Sequence, residues 1–75
     1  MNAECKVVTS EGSTFMYCDN VSISEYPERF VLRLDGLSLR FKKDEVLEYF
    51  RTDDMAQFFI SHYDITKVVR ITWKR

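Results

Sequence analysis

The chain reads RFVLRLDGLSLRFK from Arg29 to Lys42, and this stretch decides how the middle of the sequence folds. Apolar and polar residues alternate on both sides of Asp35-Gly36, as they do in strands with one buried face. An Asp-Gly pair between two alternating runs is typical of a two-residue hairpin turn, in which left-handed backbone angles favour glycine. The sequence therefore predicts an antiparallel hairpin with Gly36 at positive φ.

The predicted hairpin fixes which side chains share a face. Its register gives three apolar cross-strand pairs, which are Leu34 with Leu37, Leu32 with Leu39, and Phe30 with Phe41. A shift of one residue would move this whole apolar set to the other face, so the register is strongly specified. The opposite face then carries Arg33, Arg40 and Lys42.

Alternation also predicts strands on either side of the central hairpin. A first hairpin is expected around Gly12, where a loop of residues 10–12 pairs apolar side chains better than the alternative loop of Glu11 and Gly12 alone. A short strand is expected at Val21–Ile23. The run from Lys67 to Lys74 alternates again and is predicted to be the closing strand of the sheet.

The spacing of apolar residues changes after Lys43. Residues 44–51 have the apolar spacing of one helical face, with a tight turn followed by a strand as the alternative. Asp54 and Gln57 have the spacing of a capping box, which predicts a short helix near 55–62. The expected fold class is therefore α+β: a small antiparallel β-sheet of about five strands, roll or barrel-like, with one or two short helices in the C-terminal half.

Length and composition favour a single domain over residues 1–75. A small chain buries a modest share of its surface, and many small domains are stabilised by disulfides or metals as well. Here the eleven aromatic residues supply additional apolar area for the core. The predicted core consists of the following residues: Val7, Phe15, Phe30, Leu32, Leu34, Leu37, Leu39, Phe41, Leu47, Phe50, Phe59, Val69, Ile71 and Trp73.

The N-terminal residues, MNAECK, lack a basic start followed by an apolar stretch, so no signal peptide is expected. No segment has the roughly 20 apolar residues that span a bilayer. We therefore expect a cytoplasmic protein in which Cys5 and Cys18 are free thiols.

The sequence offers few groups for catalysis. His62 is the only histidine and follows an apolar stretch, where a histidine is usually structural. Cys5, Cys18 and His62 do not have the spacing of a zinc site, and two isolated glycines cannot form a phosphate-binding loop. We therefore expect a protein that is not an enzyme and has no cofactor, metal or small-molecule substrate.

The segment from Met55 to Tyr63 is the first candidate for a binding surface. As a helix it would be apolar nearly all round, so one face would dock on the sheet, and the other would be covered either by the helix predicted at 44–51 or by a partner. Phe59 is predicted to face inward, and a protein interface is predicted at Met55, Phe58, His62 and Tyr63. The expected function is a binding or regulatory module, with a homodimer as one possibility.

A basic row is the second candidate. Residues 29–75 hold ten basic and seven acidic residues, whereas residues 1–28 hold one basic and five acidic residues. A possible nucleic-acid face consists of Arg33, Arg40, Lys42, Arg70 and Lys74, which makes a small nucleic-acid-binding β-barrel the alternative function. Weak or no binding is expected, because the net charge is −1 and Asp35, Asp44 and Glu48 interrupt the basic residues.

Overall fold

The computed structural model describes residues 2–74, which form eight β-strands and one 3₁₀ turn, Lys43–Glu45. The strands have these bounds: β1 Ala3–Thr9, β2 Gly12–Cys18, β3 Val21–Glu25, β4 Arg29–Leu34, β5 Leu37–Lys42, β6 Val46–Arg51, β7 Met55–His62 and β8 Ile65–Trp73.

The strands form two antiparallel sheets that pack around one core. The five-stranded sheet has the order β2-β1-β8-β7-β6, and the three-stranded sheet has the order β3-β4-β5. The chain crosses from the first sheet to the second at the bend of Asp19-Asn20, and it returns through the 3₁₀ turn. The predicted α+β class is wrong, since the described residues are nearly all strand and the C-terminal half contains no α-helix.

The register of the central hairpin is confirmed. All three predicted apolar pairs between β4 and β5 are present, and the loop is the predicted two residues. The positive φ lies at Asp35, at 55°, whereas Gly36 is outside the left-handed region, so the prediction for Gly36 is wrong. Asp35 also accepts hydrogen bonds from the backbone N–H groups of Asp19 and Asn20, at 3.1 and 3.0 Å, and so ties this turn to the bend between the sheets.

The loop of the first hairpin is one residue shorter than the predicted loop of residues 10–12. Thr9 pairs with Gly12, so the loop consists of Ser10 and Glu11. Gly12 begins β2 with a φ of 137°, a conformation that other residues rarely adopt. This register places Cys5 opposite Met16 and Lys6 opposite Phe15, so Phe15 has no apolar partner on β1.

Residues 44–51 form the 3₁₀ turn and strand β6, which is the alternative to the predicted helix. A β-bulge between Val46 and Glu48 shifts the alternation of side chains by one residue. Val46 and Tyr49 therefore both pack against the core, although they are three residues apart. A spacing of three is also what a helix produces, which explains the mistaken prediction.

Residues 55–62 form strand β7 instead of the predicted second helix. Thr52 closes a tight turn, because its backbone N–H donates to the Met55 carbonyl at 2.7 Å and its Oγ1 accepts from the N–H of Met55 at 3.1 Å. β7 lies between β6 and β8 in the sheet, and it carries apolar side chains on both of its faces. Phe58 points into the core with no exposed surface and Phe59 is partly exposed on the other face, the reverse of the prediction.

The core is centred on aromatic side chains from both sheets. Phe58 lies 5.2 Å from Phe30 and 5.9 Å from Phe41, which belong to the three-stranded sheet, and 4.6 Å from Tyr49 between ring centroids. Four residues that the sequence assigned to the core are exposed, namely Phe15, Leu37, Leu47 and Phe50. Alternation alone predicts which residues share a face, but it does not tell whether that face is covered.

Replacing Asp35 with alanine is expected to destabilise the domain by about 2 kcal/mol. Alanine in the left-handed region costs roughly 1 kcal/mol, and two backbone N–H groups lose their acceptor. Gly36→Ala is the matched control, and we expect it to be neutral or slightly stabilising because an added Cβ meets no atom within 4 Å. Urea melts of both variants measure this, and a larger loss for Gly36→Ala would contradict the turn geometry.

The pair Phe58→Ala and Phe59→Ala tests the placement of β7. Phe58→Ala removes the centre of the aromatic core and should cost about 3–5 kcal/mol. Phe59→Ala should cost less than about 2 kcal/mol, because its side chain is already partly in water. Thermal and urea unfolding measure the loss of stability in each variant. A larger loss for Phe59→Ala than for Phe58→Ala would contradict the strand and favour a helix in this segment.

Candidate interaction surfaces

The predicted C-terminal interface is not a single surface in the structure. Phe58 lies in the core, and Met55 lies at the opposite end of β7 from His62. Only His62 and Tyr63 are brought together, with ring centroids 4.3 Å apart, and the imidazole of His62 also contacts the Glu45 carboxylate. Tyr63 begins the β7–β8 turn at a φ of 55° and is 88% exposed.

Strand β2 is exposed on both of its faces. Every residue from Gly12 to Tyr17 is exposed, and the strand's single hydrogen-bonded neighbour among the described residues is β1. Its exposed fractions are 52% for Phe15, 37% for Met16 and 74% for Tyr17. We call residues 12–17 the β2 edge. The exposure of Phe15 differs from the prediction, which placed it in the core.

The β2 edge differs from the other three sheet edges in having no charged residue. Strand β3 is short and ends in Glu25, and β5 carries Arg40 and Lys42. Strand β6 carries Glu48 and Arg51 and contains the bulge. Charges, bulges and short strands are the features that prevent edges from pairing with another chain. The β2 edge, GSTFMY, has none of them.

Basic side chains gather on the outer face of the three-stranded sheet. The cross-strand register places Arg29 opposite Lys42, Val31 opposite Arg40, and Arg33 opposite Ser38. Their neighbours on β3 are Ser24, beside Val31, and Ser22, beside Arg33. We call Arg29, Arg33, Arg40 and Lys42 the basic face. All four are exposed, and within residues 2–74 none forms a salt bridge with a carboxylate.

The basic row predicted from the sequence is divided between the two sheets. Arg33, Arg40 and Lys42 share the basic face, and Arg29 is an additional member that the sequence reasoning missed although it also alternates with the core residues. Arg70 lies on the five-stranded sheet, where its Nε donates to Oε1 of Gln57 at 2.8 Å. Lys74 follows β8 and lies 3.9 Å from the Glu4 carboxylate.

Cys5 and Cys18 are both free and buried on the core side of β1 and β2. Burial raises the pKa of the Cys5 thiol, and the neighbouring Cys18 raises it further. Burial also raises the pKa of the Cys18 thiol, with smaller contributions from the carboxylates of Asp35 and Asp19. The neutral thiol is therefore the favoured form of both residues, which makes them poor nucleophiles.

Other features of residues 2–74 do not point to a particular chemistry. No helix in this range has the length and apolar character to cross a membrane, and no three His, Cys, Asp or Glu side chains are placed to hold a metal ion. Comparisons with protein families, with curated proteins and with solved structures found no match. Function must therefore be inferred from the β2 edge and the basic face.

The raised thiol pKa values predict a loss of stability in alkaline solution. The folded chain disfavours the thiolate, so the buried neutral thiols contribute to the free energy of unfolding. This contribution is fully present below the unfolded pKa of about 8.5 and is lost as the pH rises through the folded pKa. Urea melts from about pH 7 to about pH 9.5 should show a falling free energy of unfolding. The double variant Cys5→Ala, Cys18→Ala should show a flatter dependence, and equal slopes would contradict this account.

Proposed function

We propose that this protein is a non-enzymatic binding module that pairs with a second copy of itself through the β2 edge. In this arrangement the two β2 strands run antiparallel and join the two five-stranded sheets into one. The observation that carries the proposal is the absence of charge along a long, exposed edge strand. A regulatory role and a cytoplasmic location are part of the proposal, and the two free thiols suit a reducing compartment.

The absence of charge favours a second copy over an unrelated partner. A two-fold axis brings identical strands together, so any charge near the axis would face its own like charge. β2 avoids this repulsion in any register, whereas β5 carries two cations and no carboxylate.

The sequence of β2 is also complementary to itself when two copies pair antiparallel with Phe15 at the centre. If the two-fold axis passes Phe15, the two Phe15 rings meet, and Ser13 of one copy lies opposite Tyr17 of the other on the same face. On the second face Thr14 lies opposite Met16. Phe15, Met16 and Tyr17 would all lose exposure to water, and burying a large apolar side chain contributes roughly 1.5–3 kcal/mol.

Phe15→Glu tests this dimer. In the monomer the new carboxylate lies beside Lys6, which is the residue opposite Phe15 on β1, so the fold should be kept. In the dimer two carboxylates would face each other near the axis and prevent pairing. Sedimentation equilibrium should show concentration-dependent dimerisation of the wild type and a monomeric Phe15→Glu variant.

Leu47→Glu is the matched control. Leu47 is also a highly exposed apolar residue on an edge strand, and this variant should dimerise like the wild type. Amide hydrogen exchange adds a local readout, because pairing should slow exchange in residues 12–17 as the protein concentration rises. A wild type that stays monomeric up to its solubility limit, or a dimer that protects a different strand, would contradict the proposal.

A further inference from the structure

The basic face contains no carboxylate among its side chains, although the chain as a whole has a net charge of −1. The outer face of the three-stranded sheet, on which its four cations lie, also carries three serines and one valine, namely Ser22, Ser24, Ser38 and Val31. Val31, opposite Arg40, is 5% exposed even though it is on the outer face.

Two of the three acidic residues that interrupt the basic ones in the sequence lie away from the basic face, and the third, Asp44, borders it. Asp35 is in the hairpin turn, where its carboxylate accepts hydrogen bonds from two backbone N–H groups. Glu48 is opposite Phe59, in the five-stranded sheet. Asp44 and Glu28 border the end of the basic face, in a cleft shared with Arg29 and Lys42, and Glu45 lines a second cleft together with Arg40. The tertiary structure thus separates charges that alternate along the chain.

The cations of the basic face are regularly spaced. Each cross-strand row contributes at least one cation: Arg29 and Lys42 in the first row, Arg40 in the second and Arg33 in the third. Successive rows on one face of a sheet are about 7 Å apart, because a strand rises about 3.3 Å per residue. An extended single strand of nucleic acid presents its phosphates at a comparable interval.

We propose that the basic face binds the phosphate backbone of single-stranded nucleic acid. Guanidinium groups make bidentate hydrogen bonds to phosphate, and serine hydroxyls are common additional donors to phosphate oxygens. At the border of the face, Tyr26 is stacked against the Arg29 guanidinium at 4.6 Å and is partly exposed, which offers a ring on which a base can stack.

This binding is independent of the proposed dimer. The basic face belongs to the three-stranded sheet, and the β2 edge belongs to the five-stranded sheet, so one surface can be altered without the other. If the dimer forms, it carries two basic faces. The failure of either proposal is therefore visible separately, in the oligonucleotide titration or in the sedimentation data.

The test is the binding of a fluorescein-labelled single-stranded oligodeoxynucleotide of mixed sequence, followed by anisotropy at several salt concentrations. We expect a dissociation constant within about 10⁻⁴–10⁻⁶ M and a slope of log K against log salt of about −3 for four phosphate contacts. The double variant Arg33→Gln, Arg40→Gln should bind at least tenfold more weakly, and its slope should fall by about half.

The double variant Arg70→Gln, Lys74→Gln is the matched control, since it removes the same charge from outside the basic face. It should bind like the wild type, and thermal melts should show that both double variants are folded. Equal weakening in the two double variants, no binding by the wild type, or a flat salt dependence would overturn the proposal. Poly-glutamate that binds as tightly as the oligonucleotide would also overturn it, because the basic face would then suit an acidic protein.

Discussion

The packing of Phe58 against aromatic side chains of both sheets is the interaction on which the rest of the structure depends. Phe30 and Phe41 reach it from the three-stranded sheet, and Tyr49 stacks on it from the neighbouring strand β6. A domain of this length has no second core, so this cluster must hold the two sheets together. It also fixes the register of β7, and through β7 the positions of β6 and β8.

Once the sheets are fixed in this way, the coverage of the five-stranded sheet is uneven. The three-stranded sheet is smaller than its partner, and β2 is left exposed at one edge. Exposed edges usually carry charges or irregularities that discourage pairing, and three of the four edges here do. The fourth edge combines exposure with apolar side chains, which is the physical basis for placing a partner there.

The same topology sorts the charges of the chain. Cationic residues of β4 and β5 alternate with core residues, so the hairpin places them together on the outer face. The carboxylates that lie between them in the sequence fall in turns or on the other sheet, as Asp35 and Glu48 show. A count of charges along the sequence therefore underestimates how basic one face becomes, and this is why the sequence alone suggested weak interaction with nucleic acid.

The sequence by itself determined the central hairpin and the common face of Arg33, Arg40 and Lys42, because cross-strand pairs on either side of a short turn depend only on local alternation. It also determined the closing strand β8, whose apolar and polar residues alternate. Only the tertiary structure decided that residues 46–51 and 55–62 are strands. An apolar run fits a helix or a strand buried on both faces equally well, and a bulge can imitate helical spacing. The exposure of β2 and the separation of Arg70 from the basic face were also decided at this level, since both depend on which strands become neighbours.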